Sequence, residues 1–170
     1  MQPALIALGI TLAVSVMVVQ MFRLLGKPQN LGSASGLNPC GNRPNCVCSS
    51  DARPGFHVDA WRSPEDCGQT VRSLAVMLEK TRGVRVVMLQ PENGYLRAEF
   101  TTPVCRFVDD VEFLCQIDGP GSTIQVRSAS RAGHSDLGLN RRRVGALHAA
   151  WLKQIKTDNA PLGTASPKVG

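Results

Sequence analysis

The sequence predicts an α+β protein. An N-terminal transmembrane helix precedes a two-layer domain ordered helix, four antiparallel strands, helix. Three observations predict it. Residues 3–21 hold no charged side chain. A short β-branched run at 84–90 is followed, between residues 95 and 130, by apolar and polar residues that alternate at period two, broken by Gly- and Pro-rich turns. The flanking stretches repeat apolar residues at helical spacing instead.

The first element is the anchor. Leu5, Ile6, Leu8, Ile10, Leu12, Val14, Val16, Val18 and Val19 leave it without a polar face. Its length is about the 20 residues a helix needs to cross a bilayer's hydrocarbon core. No positive n-region precedes it, and no small-residue cleavage pattern follows closely. Residues 1–25 therefore read as a retained anchor or uncleaved signal. Residues 26–39 (GKPQNLGSASGLNP) read as a flexible linker, 40–157 as the α+β domain, and 158–170 as a disordered tail.

The domain's first helix follows Ser63, a good cap, with Pro64 in its first turn and Glu65 and Asp66 near its positive end. Val71, Leu74, Ala75 and Leu78 form its apolar stripe, and Gly83 ends it. Strands are expected at Val84–Gln90, Tyr95–Thr101, Val108–Ile117 and Thr123–Ser130. Val111, Phe113, Cys115 and Ile117 face inward, and Asp110, Glu112 and Gln116 outward. The last helix starts near Asn140 as cap. Val144, Leu147, His148, Trp151, Leu152 and Ile155 form its buried face.

The net charge of +6 is concentrated in one segment. Residues 121–157 carry seven Lys or Arg against a single acid, Asp136. With eight aromatics in the chain, most placed where a core needs them, this is not a nucleic-acid-binding surface. The flanking Arg23 and Lys27 favour a cytoplasmic domain by the positive-inside rule. Six cysteines, an even number, favour an oxidising compartment. The cysteines carry more weight. The expected location is the inner membrane, single-pass, with the domain on the periplasmic side.

Cys40, Cys46 and Cys48 are too close in sequence to share one regular element. C-x5-C-x-C is not a standard zinc spacing, even with Cys67 or His57 as a fourth ligand. A disulfide clip is the preferred reading, and Cys40–Cys46 with Cys48–Cys67 is one of three pairings open to these four thiols. A free reactive thiol is the third option. No metal or other cofactor is expected.

Two features can carry chemistry. Arg97, Glu99, Asp110, Glu112 and Arg127 project from three strands to one polar sheet face if the registers match. A solvated ladder of cross-strand ion pairs is the simpler account; a charged binding floor, or carboxylates acting as acid and base, is the functional one. The second feature runs from residue 127 to 143, with five arginines. Arg141, Arg142 and Arg143 fall in a helix's first turn, where the macrodipole disfavours cations. Something negative must face them. It is either the strand bearing Asp109, Asp110 and Glu112, or a bound phosphate or carboxylate. The ligand set for the second case is Arg127, Ser128, Ser130, Arg131, Ser135, Asp136, Asn140, Arg141 and Arg143. His134-Ser135-Asp136 contains triad residue types without triad geometry, and no nucleophile elbow, zinc-protease or phosphate-loop motif is present.

These residues also carry a resemblance. Cys40…Pro44-Asn45-Cys46-Val47-x-Ser49-Ser50, Tyr95–Phe100, Phe107–Phe113, and Val126–Arg131 through Asn140-Arg141-x-Arg143 resemble the family known as domain of unknown function 1499. The likeness spans about residues 38–155. It implies export or membrane attachment, and a disulfide that uses Cys40 and Cys46, since Cys48, Cys105 and Cys115 depart from the family pattern. It implies no activity. The expected function is a membrane-anchored extracytoplasmic module, more a binder than an enzyme, that recognises an anionic ligand or a partner. Envelope lipid, a polymer or a protein are the candidate partners, with no nucleic acid. The alternatives are an accessory or assembly subunit of a membrane complex, and a small hydrolase working on phosphate- or sugar-bearing substrates through Asp110 and Glu112.

Overall fold

The computed structural model describes residues 3–158; the expected tail lies, from residue 159 on, outside the described residues. Helix α1 (Pro3–Leu25) contains a 19-residue apolar span, Pro3–Met21, of mean hydropathy 2.3. It is long and apolar enough to cross a membrane, and none of that span is buried against the rest of the protein.

The domain follows as β1 (Cys46–Cys48), β2 (Trp61–Ser63), α2 (Cys67–Glu79), β3 (Val84–Gln90), a short 3₁₀ turn, β4 (Tyr95–Thr101), β5 (Val108–Asp118), β6 (Gly121–Ser130) and α3 (Leu139–Asp158). The four expected strands form one antiparallel meander, with neighbours in the order β3-β4-β5-β6. Two three-residue strands extend it. Both β1 and β2 pair antiparallel with the outer edge of β6, one at each end. A strand of three residues shows no period in sequence, so neither is legible there. Together they cover a β6 edge that would otherwise offer open hydrogen-bonding groups.

Helices α2 and α3 cover one face of the sheet. Val71, Leu74 and Leu78 of α2 pack with Leu96, Ala98, Val111, Phe113, Ile124, Val126 and Trp151, all fully buried. The α2 cap is Asp66, whose carboxylate accepts from the Gln69 N–H; Ser63 instead ends β2. The α3 start is likewise held by Asp136, which accepts from the N–H groups of Gly138 and Asn140. Asn140 itself is buried in a polar network. Two residues expected inside are not. Ile117 is 81% exposed, because the β5–β6 hairpin runs beyond the helical layer, and Leu152 is 40% exposed. At the β3–β4 turn Gly94 adopts φ 64°, and a Cβ there would lie 2.6 Å from the Cys115 carbonyl oxygen, so only glycine fits.

The other sheet face is covered rather than solvated. Apart from β1, residues 30–57 fold over it as irregular chain, and Leu37, Cys40, Cys46, Cys48, Tyr95, Leu114 and Ala129 form a second, smaller apolar cluster with Ala34 and Phe56 against it. Within 26–39, where composition predicts a linker, Leu37 is buried and the Gly32 N–H donates to the Glu112 carboxylate at 2.7 Å. Asn30 and Asn38 close the segment with hydrogen bonds to the carbonyls of Pro39 and Leu31. Cys40 and Cys46 form a disulfide. Such a short closed loop constrains the unfolded chain by about 2 kcal/mol. Cys48, Cys67, Cys105 and Cys115 are free thiols, so the Cys48–Cys67 bridge is not made. Cys48 lies in the second cluster, while Cys67 packs against the helix-side core that holds Cys115.

Candidate functional site

The alternation of β5 determines the site. Asp109 and Asp110 are sequence neighbours, so they point to opposite faces of the sheet. Asp109 meets Arg143 of α3 on the helical side, with N–O 2.5 Å. Asp110 meets Arg131, from just after β6, on the covered side. Arg131 grips it bidentately through Nε and a terminal nitrogen, both at 2.8 Å, and also donates to Glu99. One step along β5, Glu112 faces Arg127, which donates to it at 2.8 Å. Glu112 also accepts from the Tyr95 hydroxyl at 2.7 Å and from the Gly32 N–H.

The polar sheet face thus comes together as the register requires: Arg97 stands opposite Glu112, Glu99 opposite Asp110, and Glu112 opposite Arg127. It is a ladder, but not a solvated one. Glu112 is 0% exposed, and Asp110 and Arg127 are each 2% exposed, because residues 30–57 lie on top. Asp110 and Glu112, the two candidates for acid–base work, are both engaged by internal donors.

The electrostatics follow the same pairing. Hydrogen bonding to Asp110 raises the Arg131 guanidinium above its ordinary value, against the opposing effect of burial. Burial alone would raise Glu99, but hydrogen bonds from Arg85 and Arg131 together override it and lower the carboxyl. Burial, then the bond to Glu112, pushes the Tyr95 phenol up, so Tyr95 stays protonated and donates. Under the disulfide, the hydrogen bond from Arg53 holds Asp51 well below the usual carboxylate range. Asp51 in turn accepts from the Cys40 N–H, and Arg53 donates to the Cys40 carbonyl. Cys115 is pushed up to about 12, first by burial and then by its hydrogen bond with Cys67; it stays a thiol.

A second network ties the helical side together. The Asn140 side-chain oxygen accepts from Ser128 and Arg143, and its amide donates to Ser130 and to the Asn45 carbonyl. Asn45 donates on to the Gly133 carbonyl. Arg141 takes a different course, donating to the carbonyls of His57 and Gly55 at the surface. Ser135 is exposed and accepts only from the nearby Leu137 N–H. Of the nine residues expected to bind an anion, seven (Arg127, Ser128, Ser130, Arg131, Asp136, Asn140, Arg143) are therefore engaged in two adjoining internal networks or in capping α3. Ser135 and Arg141 lie at the rim.

What the sequence did not mark is the cleft beside these networks. It lies between the 102–107 and 131–139 loops and has a volume of about 410 Å³. Phe107, Ala132, Leu137 and Leu139 supply apolar walls, and Thr102, Asp109, Ser130, Ser135 and Asp136 the polar lining. On the two loops, Leu137 is 85% exposed and Val104 90% exposed. Cys105, next to Val104, is an exposed free thiol. These loop residues carry no periodic signal, so only the fold brings them together.

The zinc reading of the cysteine-rich segment finds no support in the geometry. Cys40 and Cys46 are bonded to each other, the Cys48 thiol lies against the Ser50 hydroxyl, and His57 Nδ1 lies 3.0 Å from the Asp51 carbonyl. Among the described residues, no group of three or more His, Cys, Asp or Glu side chains is placed to hold a metal ion.

The family motifs now have a physical account. Asp109, Asp110 and Glu112 of the β5 motif are the counter-ions of Arg143, Arg131 and Arg127, and Asn45 of the cysteine motif is bonded to Asn140. A family model described as protein of unknown function (DUF1499) matches residues 36–151. No curated protein and no solved structure shows a significant match. The matched span begins just before the buried Leu37 and ends at the buried Trp151. It takes in the disulfide, both networks and the cleft, and the chain belongs to this family of proteins of unknown function, DUF1499.

Proposed function

We propose that the protein is a non-catalytic binding module, held by α1 at the periplasmic side of the inner membrane, that receives a partner in the cleft between the 102–107 and 131–139 loops. The cleft itself carries this reading. It is apolar-walled, large enough for a partner's side chain, and lined by the exposed Leu137, with the exposed Val104 on the 102–107 loop beside it. Much of its polar lining is already engaged, since Asp109 is neutralised by Arg143, Ser130 is bonded to Asn140 and Asp136 caps α3. A site of this kind favours an apolar anchor with few polar contacts. The partner half of the expectation therefore gains more than the anionic half, because Arg127, Arg131 and Arg143 are already matched to carboxylates.

The compartment rests on two supports. The apolar helix is long enough to anchor the chain, and the disulfide belongs to an oxidising environment. Arg23 and Lys27 pull the other way, but two charges constrain topology less than a bond that cytosolic thiol buffers would open. The accessory-subunit reading uses the same cleft, with a membrane-complex component as the partner.

A photo-crosslinking amino acid placed at residue 137 or 104 of the full-length protein, in its own membrane, tests the reading. A discrete adduct is expected from both sites and not from residue 117, which is equally exposed but distant in the β5–β6 hairpin. Filling the cleft with Ala132→Phe should abolish the adduct while thermal unfolding shifts by only a few degrees. No adduct from 104 and 137, or the same adduct from 117, contradicts the proposal.

A further inference from the structure

One cation on the covered sheet face is left without an anion. That face carries Arg85, Arg97, Arg127 and Arg131 against Glu99, Asp110 and Glu112. Every carboxylate in it is matched to arginines other than Arg97. Glu112, the cross-strand neighbour of Arg97, is already occupied by Arg127, Tyr95 and Gly32. Among the described residues nothing accepts a hydrogen bond from Arg97; its Nε, like that of Arg127, is buried without a partner, but Arg127 has Glu112 as its anion and Arg97 has none. A buried guanidinium N–H left unmatched is costly, whereas arginines in native folds normally find carboxylate, phosphate or carbonyl oxygens.

Arg97 lines a hollow of about 240 Å³ together with Gly32, Ser33, Met88, Gln90 and Tyr95. Gln90 and Ser33 add neutral hydrogen-bonding groups. The wall formed by residues 31–34 is the first docked piece of chain after the anchor. Five residues, 26–30, connect the end of α1 to that wall, a reach of roughly 20 Å at full extension. The lipid headgroup layer lies just outside the hydrocarbon core, so this hollow is held within reach of lipid phosphates. Met88, which lines it, is 39% exposed on this edge strand, and suits the interfacial zone.

We infer that the Arg97 hollow is a phosphate site for the headgroup of an anionic membrane lipid, separate from the cleft. Arg97 supplies the charge and the forked N–H donors, and Gln90 and Ser33 complete the contacts. The inference does not depend on the cleft reading, since the two sites share no residue.

The test uses the full-length protein in an uncharged maltoside detergent, with the Arg97 Nε–H resonance identified by its loss in Arg97→Lys. It is titrated with short-chain phosphatidylglycerol, short-chain phosphatidylcholine, glycerol 3-phosphate and inorganic phosphate. The expected result is a saturable shift with phosphatidylglycerol, at a midpoint at least tenfold below that of the other three. An equal response to inorganic phosphate would assign the hollow to free phosphate and overturn the lipid reading. No shift in the Arg97 resonance, or lipid binding that survives in Arg97→Lys, would overturn the site. Thermal unfolding of Arg97→Lys should match the parent protein, because no internal partner is lost. Leu137→Asp should leave the titration unchanged, so failure here is distinguishable from failure of the cleft.

Discussion

Glu112→Ala is expected to destabilise the domain by about 3–5 kcal/mol, the cost of leaving one member of a buried ion pair alone. The effect comes less from lost attraction than from what stays behind. Arg127 is 2% exposed and would keep its charge with no counter-ion. Tyr95 and Gly32 would each lose their acceptor. Since small domains are stable by about 5–15 kcal/mol, the variant should sit near the edge of folding. Urea unfolding of the full-length protein, followed by tryptophan fluorescence, measures the loss. Replacing both partners together, Glu112→Leu with Arg127→Met, should recover much of it, because the unpaired charge disappears. A loss below about 1 kcal/mol for Glu112→Ala would match a solvent-exposed pair and contradict the burial of the ladder.

The second large effect belongs to the helical side. Trp61→Ala should cost about 3–5 kcal/mol through the cavity it opens. Trp61 is 1% exposed and packs on Phe113 at 5.3 Å between ring centroids and on the His148 ring at 5.0 Å. It also fixes β2, whose Arg62 carbonyl accepts from the Trp151 indole N–H. The loss therefore loosens β2 from both β6 and α3. Trp61→Phe keeps most of the volume and should cost clearly less. Equal losses for the two variants would show that the indole's size does not matter at this position. His148, which helical spacing places on the apolar face, is accordingly a packing residue: half-buried, with its ring stacked on Trp61.

The main frame was legible because the periodicity is strong. β3, a short β-branched run, and β4, which alternates, have the residue limits expected of them, and α2 buries Val71, Leu74, Ala75 and Leu78 as their spacing requires. The cation–anion matching was also readable in outline. Arginines in the first turn of a helix demand a negative group nearby, and Asp109 answers Arg143. Three things were not readable. A short strand such as β1 or β2 has no period. The linker's composition conceals that Leu37 docks, because a single apolar residue among Gly, Ser and Asn gives no pattern. The cleft depends on two loops, about thirty positions apart in sequence, being brought side by side by the β5–β6 hairpin. Arg97 was visible as one charge among several; only the three-dimensional pairing singles it out as the arginine of the covered sheet face that has no anion.

The proposed arrangement is a folded, disulfide-bonded domain outside the cytoplasm with its cleft open. The native thiol Cys105 tests it most directly, since it is exposed, unpaired and on a loop that borders the cleft. Cells whose inner membrane is intact and accessible are treated with a membrane-impermeant maleimide. The account predicts labelling at Cys105 without prior reduction, abolished by Cys105→Ser. Two further thiols, Cys40 and Cys46, should become reactive only after reduction and unfolding. Labelling of Cys105 that requires lysis, with Cys40 and Cys46 already reactive in unreduced, denatured extract, would place the domain in the cytoplasm and contradict the account.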